Sequence, residues 1–251
     1  MTVPSFRLDG KVAVVTGGSK GLGRAMALGF AASGADVVVS SRRVTACEEV
    51  ADEIRALGRR ALAVSCHVAS WGECEKLMAA AVAEFGALDV LVNNAGIAPV
   101  PPSLAGVSEE LFDKTIGVDL KGPLRLMGLA AGVLRPGGSI INISSKASAR
   151  PSPQTLVYSA AKAGLNALTV AAAQELGPRG IRVNAIVCGP FHTDSFGKQV
   201  PTPQAEQAIA SRLPLRRVGS ADDIVGTAVF LASDASSYMT GTLVSLDGGS
   251  S

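Results

Sequence analysis

The sequence has few histidines and cysteines, and its basic residues are almost balanced by acidic ones. It contains two histidines, and its four cysteines, Cys47, Cys66, Cys74 and Cys188, form no CxxC pair. Neither a metal site nor a disulfide framework is therefore expected. The net charge is +2, with basic and acidic residues interspersed, so we expect no nucleic-acid partner and no membrane-surface partner.

Long apolar runs and targeting signals are also lacking. The longest stretch without a charged residue, 90–108, contains Asn93, Asn94 and three prolines, which does not suit a membrane span. No charged-then-apolar pattern opens the chain, and no GxxxxGK[ST] loop for phosphate transfer occurs. We expect a soluble, cytoplasmic protein.

Short apolar runs alternate with helix-like segments along the whole chain. Of the 251 residues, 47% are apolar and only 4% are aromatic, which suits close packing of helices on strands. This alternation predicts an α/β fold of one domain over 1–251, a doubly wound parallel sheet of about seven strands with helices on both faces. The predicted strands are 11–16, 35–40, 61–66, 88–93, 139–144, 181–187 and 243–246. The predicted helices are 24–33, 44–57, 71–85, 108–134 with a bend at Pro123, 153–176 and 221–231.

The first strand runs directly into a glycine-rich turn. Gly17, Gly21 and Gly23 lie between a predicted strand and a predicted helix, a context that favours a phosphate-binding loop over a purely structural turn. Glycines let the backbone approach a pyrophosphate, and the helix N-terminus offers N–H donors. We therefore predict that a dinucleotide binds here.

The end of the second strand is basic rather than acidic. An NAD site usually places Asp or Glu about twenty residues beyond the glycines, on the ribose hydroxyls. This chain has Arg42 and Arg43 there, and Lys20 inside the glycine loop. Because these cations suit a 2′-phosphate, NADP(H) is favoured over NAD(H). The alternative is that the two arginines merely solvate the start of a helix.

Tyr158 and Lys162 lie one turn apart on the same face of a predicted helix, with Ser145 upstream. A phenol that acts as a base at neutral pH needs its pKa lowered by about three units, roughly 4 kcal/mol. A cation about 4 Å away contributes about that much at the effective dielectric of a partly buried site. Lys162 is thus predicted to tune Tyr158; the alternative is an ordinary amphipathic tyrosine beside a solvated lysine.

The segment 189–215 precedes the last predicted helix and contains several prolines. An insertion of this length is more often functional than a plain connection. We interpret it as a substrate lid, with a rigid surface loop as the alternative.

These motifs together closely resemble the shorter-chain branch of the short-chain dehydrogenase/reductase family, over essentially the whole chain. The resemblance implies a Rossmann-like fold, an NAD(P)-dependent oxidoreductase acting on CH–OH groups, and a homotetramer. It implies that Tyr158 is the general acid/base, that Ser145 positions the substrate oxygen, and that Lys162 binds the nicotinamide ribose and lowers the tyrosine pKa. The motifs that carry it are Thr16-Gly17-xxx-Gly21-x-Gly23, Asn93-Asn94-Ala95-Gly96, Ser145 and Tyr158-xxx-Lys162.

The resemblance also implies a set of residues around the cofactor, drawn from the ends of successive strands. Besides Tyr158, Lys162 and the basic residues above, this set comprises Gly17, Ser19, Gly21, Leu22, Gly23, His67, Val68, Asn94, Ala95, Gly96, Gly189, Phe191 and Thr193.

Three positions depart from the family pattern. Asp119 stands where a fourth catalytic residue, Asn, is usual, and is expected to lower activity, to shift the pH optimum upward, or to have little effect. His67 replaces the usual acid beside the adenine, and Cys188-Gly189-Pro190 replaces the usual Pro-Gly.

The leading hypothesis is an oxidoreductase that interconverts a small carbonyl compound and an alcohol with NADP(H). Two alternatives are a 3-oxoacyl-thioester reductase acting on carrier-protein substrates, with Arg135 and Arg179 as candidate docking residues, and a sugar or polyol dehydrogenase. An alternative of another class is a cofactor-binding protein whose catalysis is impaired by Asp119.

Overall fold

The computed structural model describes residues 5–250, and of Ser195 and Lys198 only the backbone. Its centre is a seven-stranded parallel sheet with the strand order β3-β2-β1-β4-β5-β6-β7. The order reverses between β1 and β4, where the carboxyl ends of the strands form a crevice. The strands are β1 Val12–Thr16, β2 Asp36–Ser41, β3 Ala61–Ser65, β4 Leu88–Asn93, β5 Leu134–Ser145, β6 Arg182–Cys188 and β7 Leu243–Leu246.

Helices cover both faces of this sheet, as the alternation predicted. One buried apolar cluster joins α1, α2 and α9 to the sheet, and a second joins α3, α5 and α6 to its other face. The strands β1, β4 and β6 are buried along their whole length, which is why they appear as continuous apolar runs. The helices are α1 Gly21–Ala32, α2 Val44–Ala56, α3 Trp71–Phe85, α4 Glu109–Ile116, α5 Gly122–Val133, α6 Leu156–Leu176, α7 Asp194–Gln199, α8 Pro203–Ala210 and α9 Val225–Ala232.

The predicted helix 108–134 is interrupted just before Pro123. A π-helical turn, Gly117–Lys121, separates α4 from α5, and Pro123 lies in the first turn of α5. The helical backbone runs on from the π turn into α5, since the Gly122 N–H donates to the Gly117 carbonyl, five residues back. The wider π turn holds Asp119 fully buried, and such turns are often found at functional sites.

Helix α6 carries the Tyr158 motif through the middle of the molecule. With its flanking turns, Pro153–Arg179, it is long and apolar enough to cross a membrane by length and composition alone. In the structure it packs against β5 and β6, and it carries Lys162 and Thr169 as buried polar residues. It is thus a core helix that brings the predicted site residues Tyr158 and Lys162 to the sheet.

The segment 189–215 is not a plain loop. It contains the short helices α7 and α8, each preceded by a threonine, Thr193 or Thr202, whose hydroxyl accepts an N–H from the first turn. Ala210 and Leu213 anchor its far end in the core. The segment thus has helical structure of its own, and both the substrate lid and the rigid surface loop stay predictions.

Candidate active site

Three side chains meet at the carboxyl ends of β5 and β6. Strand β5 ends at Ser145, and α6 brings Tyr158 and Lys162 to the same place. Lys162 Nζ lies 5.7 Å from the centre of the Tyr158 ring and donates a 2.9 Å hydrogen bond to the Ile143 carbonyl. The Ser145 hydroxyl accepts an N–H from Ala147 at 3.2 Å, which leaves its own proton free to be donated elsewhere.

Asp119 joins this group from the π turn. Its Oδ1 lies 3.2 Å from Lys162 Nζ, and the two side chains are 0% and 5% exposed. The Ile97 N–H points at both carboxylate oxygens, at 3.4 and 3.3 Å. A Cβ atom on Gly96 would lie 2.8 Å from Asp119 Oδ1, so the backbone here leaves room only for glycine. The predicted catalytic residues Ser145, Tyr158, Lys162 and Asp119 thus form one cluster.

Burial dominates the protonation of Tyr158 in this cluster. Desolvation raises the pKa of the phenol above its usual value of 10.0, whereas the charge of Lys162 lowers it. Asp119 raises it further, and the Ser145 hydroxyl opposes the rise. The net direction is upward, so the lowered pKa expected for this tyrosine is not found in the structure, because burial and Asp119 together outweigh the lysine.

Lys162 is held in its charged form despite its burial. Desolvation lowers the pKa of this ammonium, but the charges of Asp119 and Tyr158 and the hydrogen bond to Asp119 overcome it, so that the pKa is raised. For Asp119, burial raises the pKa, and the charge and hydrogen bond of Lys162 oppose this rise without reversing it. Burial also raises the pKa of the nearby Cys188 thiol, from 9.0 to about 12. The centre of the site is the Lys162–Asp119 pair, 3.2 Å apart and buried beside a phenol and a thiol whose pKa values burial raises.

The glycine loop beside the cluster is braced by a network of hydrogen bonds. The Thr16 hydroxyl donates to the Val92 carbonyl and accepts the N–H groups of Asn94 and Ala95, at 3.1, 3.0 and 3.1 Å. The Asn94 amide donates to the carbonyl oxygens of Thr16 and Gly17, at 2.8 and 3.1 Å. Asn94 therefore holds the loop in shape, and the cofactor contacts predicted for Asn94, Ala95 and Gly96 stay predictions.

The glycines of this loop fit a dinucleotide. A Cβ atom on Gly17, where φ is +62°, would lie 2.8 Å from Asn94 Nδ2, and one on Gly23 would overlap the Gly17 carbonyl. Gly21, with φ of +52°, faces open space as far as the Thr193 methyl group, 4.0 Å away. The loop is thus closely packed on the side of Asn94 and open on the side of Thr193, the shape that a bound pyrophosphate requires.

The basic residues after β2 are available for an anion. Arg42 and Arg43 are exposed, and within residues 5–250 neither guanidinium has a hydrogen bond or an ion pair. The buried hydroxyl of Ser40 next to them also has no partner in that part of the chain. Lys20 instead forms an ion pair with Asp194 at the start of α7, so its charge is shared between the glycine loop and the predicted lid.

The remaining predicted contacts line the same edge of the sheet. After β3, His67 Nδ1 accepts the Ala69 N–H at 3.3 Å. Val68 is buried beneath it, and its carbonyl accepts the thiol of Cys74 at 3.2 Å. Ser19 and Leu22 belong to the glycine loop and the start of α1. Their contacts with a cofactor stay predictions.

Residues at the start of the predicted lid have mainly structural partners. A Cβ atom on Gly189 would lie 2.6 Å from the Asp247 Cα, so the backbone passes close to the end of β7. Phe191 is 6% exposed and packs on Gly219. Thr193 caps α7. These three residues border the site, and their cofactor contacts also stay predictions.

Several residues that support the site were not predicted. The Ile143 carbonyl and the Ile97 N–H are backbone groups, which no sequence pattern marks. Asn166, one turn beyond Lys162 on α6, donates to Ser148, whose hydroxyl donates to the Ser145 carbonyl at 2.6 Å. The recurrence of polar residues one turn apart on an apolar helix is the signal that could have identified Asn166.

A parallel doubly wound sheet, a tight glycine loop at its reversal point and a Ser–Tyr–Lys cluster beside that loop define an oxidoreductase of the dinucleotide-binding class. Comparison with known proteins agrees. A family model described as Enoyl-(Acyl carrier protein) reductase matches residues 17–251. The chain belongs to the short-chain dehydrogenase/reductase family.

Individual relatives are similar over nearly their whole length. The chain is 40% identical over 246 residues to L-rhamnose 1-dehydrogenase (NAD(P)(+)) of Azotobacter vinelandii, covering 95% of this chain and 96% of the relative. It is 36% identical over 247 residues to 7alpha-hydroxysteroid dehydrogenase of Escherichia coli, covering 98% and 96%. A crystal structure of a short chain dehydrogenase from Burkholderia cenocepacia in complex with NADP superposes with a TM-score of 0.91, at 35% identity and 97% and 99% coverage.

Proposed function

We propose that the protein is an NADP(H)-dependent oxidoreductase that interconverts a small ketone or aldehyde and the corresponding alcohol. The observation that carries this proposal is the meeting of Ser145, Tyr158 and Lys162 at one edge of the sheet, next to the braced glycine loop. A hydroxyl pair for the substrate oxygen and an open cradle for a dinucleotide are the two parts that such a reaction needs.

Each side chain has a role that follows from its position. Tyr158 gives its proton to the carbonyl oxygen as negative charge develops there, and takes it back in alcohol oxidation. Ser145, whose hydroxyl proton is free, donates a hydrogen bond to the same oxygen. Lys162 keeps a positive charge near the phenol and stabilises the phenolate left behind. The nicotinamide, when bound, supplies or accepts the hydride.

The preference for NADP(H) rests on the end of β2. Arg42 and Arg43 are exposed and without hydrogen-bond partners in the described part of the chain, where a 2′-phosphate would lie. Planar guanidinium groups bind phosphate through paired hydrogen bonds. A relative named for NAD(P)(+) and a neighbour solved with NADP support a nicotinamide cofactor.

Of the two alternative substrate classes, the carrier-bound thioester has less support than the sugar or polyol. The candidate docking residues for a carrier protein lie on the wrong side of the molecule, because Arg135 and Arg179 are at the amino ends of β5 and β6. Arg135 donates to Asp89 at 2.8 Å, and Arg179 donates to the Ala131 carbonyl. Two relatives are named for small-molecule substrates, a sugar and a steroid. These names favour a small-molecule dehydrogenase over a reductase of carrier-bound thioesters.

The test is turnover by the purified protein, with NADPH and a panel of ketones, 3-oxoacyl thioesters, sugars and hydroxysteroids. We expect activity on a small carbonyl or alcohol, and a loss on the order of 10²–10⁴-fold in Tyr158→Phe, the range of general acid–base catalysis. Tyr238→Phe is the matched control, since Tyr238 is fully exposed. No turnover on the panel, or full activity in Tyr158→Phe, would overturn the proposal.

We also propose a homotetramer in the cytoplasm. Exposed apolar side chains lie on α4 and α5 (Phe112 and Leu124) and near β7 (Tyr238 and Leu243), and two such patches can support two kinds of contact between copies. Light scattering with Leu124→Glu and Leu243→Glu tests this, because each change is expected to reduce the tetramer to dimers.

A further inference from the structure

We propose that Asp119 is a positioning residue whose buried carboxylate fixes the Lys162 ammonium and keeps the Tyr158 hydroxyl protonated, so that the site is set to donate a proton throughout the neutral pH range. The role in proton donation rests on the proposed function, whereas the effect on Tyr158 can be measured without any substrate.

The geometry gives Asp119 few alternatives. Its side chain is completely buried, and its partners are Lys162 Nζ at 3.2 Å and the Ile97 N–H. Gly96 lies next to the carboxylate and, because it has no Cβ atom, leaves the room that Asp119 Oδ1 occupies. The ammonium is fixed from the other side by the Ile143 carbonyl at 2.9 Å. The lysine is therefore held between a carboxylate and a carbonyl. The Asp119 carboxylate compensates much of its positive charge, which weakens the effect of that charge on the phenol.

The titratable and hydroxyl groups facing the phenol come from four elements. They are Lys162 on α6, Asp119 on the π turn, Ser145 on β5 and Cys188 on β6. The thiol stays neutral, because burial raises its pKa to about 12. Because the ion pair has almost no net charge, burial has a larger effect on the Tyr158 pKa than Lys162 does. The protonated phenol is therefore the favoured form. A neutral amide at position 119 would leave the lysine charge uncompensated.

The consequence for the reaction is a difference between its two directions. Reduction transfers the hydride from the cofactor to the carbonyl carbon and the proton from Tyr158 to the carbonyl oxygen, which requires a protonated phenol. Alcohol oxidation requires the phenolate, which accepts the hydroxyl proton while the hydride leaves for the oxidised cofactor. The rate of oxidation should therefore rise with pH well into the alkaline range, while reduction stays level across neutral pH.

The first experiment titrates Tyr158 in the full-length protein without cofactor. The chain has two tyrosines, so in a Tyr238→Phe background the ultraviolet absorbance of phenolate reports Tyr158 alone. We expect the titration midpoint to fall in Asp119→Asn and to stay high in Asp119→Glu, which keeps the charge. Circular dichroism at each pH shows that the fold is intact. A midpoint in Asp119→Asn that is unchanged or raised would overturn the proposal.

The second experiment measures pH–rate profiles with whichever substrate the panel yields. We expect Asp119→Asn to move the rise in kcat/KM for oxidation to lower pH. The oxidation rate near pH 8 should increase on the order of tenfold, because a phenol that titrates about one pH unit lower has about ten times more phenolate there. An unchanged profile in Asp119→Asn would contradict the proposed role. If the wild-type protein turns over no substrate, the function proposed above fails, while the titration still decides the role of Asp119.

Discussion

The carboxylate of Asp119 and the ammonium of Lys162 lie 3.2 Å apart, and neither side chain is more than 5% exposed. A buried ion pair contributes little stability relative to an apolar pair, but removing one partner leaves a charge without compensation. We therefore expect a change at Lys162 alone to cost more stability than a change of both residues together.

Lys162→Met is expected to destabilise the fold by about 3–5 kcal/mol, because it leaves the Asp119 carboxylate buried and unpaired. The double variant Lys162→Met/Asp119→Asn should recover most of that loss. Urea unfolding of the four proteins in this cycle gives the coupling energy. Additive losses in the double variant would show that the two groups do not interact.

Replacing Arg42 and Arg43 with serine should change the cofactor preference. Each charge-assisted hydrogen bond to a phosphate contributes about 1.5–3 kcal/mol, so kcat/KM for NADPH is expected to fall at least about tenfold while that for NADH changes little. Arg179→Ser, on the opposite edge of the sheet, is the control. Equal losses with both cofactors would argue that the arginines support the fold rather than the 2′-phosphate.

Gly23→Ala should be strongly destabilising, since the new methyl group would overlap the Gly17 carbonyl. Overpacking of this kind costs about 1–3 kcal/mol, and we expect weaker binding of NADPH in fluorescence titrations as the loop is displaced. Gly226→Ala is the matched control. Gly226 lies in α9, where a Cβ atom would meet nothing within 4 Å, so it should be neutral or raise stability by about 0.5–1 kcal/mol.

Stability should fall at alkaline pH partly through Cys188. Burial raises the pKa of its thiol from 9.0 to about 12, so above pH 9 the unfolded chain loses this proton and the folded chain keeps it. Because the unfolded state then binds fewer protons, the free energy of unfolding falls as pH rises, by up to about 1.4 kcal/mol per pH unit for this group. Cys188→Ser should flatten the decline between pH 9 and 11 in urea unfolding; an unchanged slope would contradict this.

The sequence predicted the architecture well, because the buried strands are continuous apolar runs and the helices between them are amphipathic or small-residue segments. All seven strands and the positions of Ser145, Tyr158 and Lys162 followed from that pattern. The π turn did not, because its extra residue is stabilised by tertiary packing of Asp119 rather than by any local propensity. Nor could the ion pair between Lys20 and Asp194 be predicted, since those residues are far apart in the chain.

The direction of the shift in the Tyr158 pKa shows most clearly what could not be predicted from the sequence. The spacing of Tyr158 and Lys162 predicts an attraction, and the structure contains it. The balance, however, depends on how completely the phenol is shielded and on where the Asp119 carboxylate lies. The motif pattern placed Asp119 near the site, but how completely the phenol is shielded is a property of the folded site and has no signature in a single sequence.

The Thr16 hydroxyl has a consequence beyond the loop that it braces. Its three hydrogen bonds tie β1 to the end of β4, the two strands between which the strand order of the sheet reverses. A ligand that crosses the boundary between β1 and β4 therefore binds to two halves of the sheet whose separation is already fixed. The protein fixes in advance the distance between the places where the two ends of the ligand bind. No part of the binding free energy has to be used to draw the halves together.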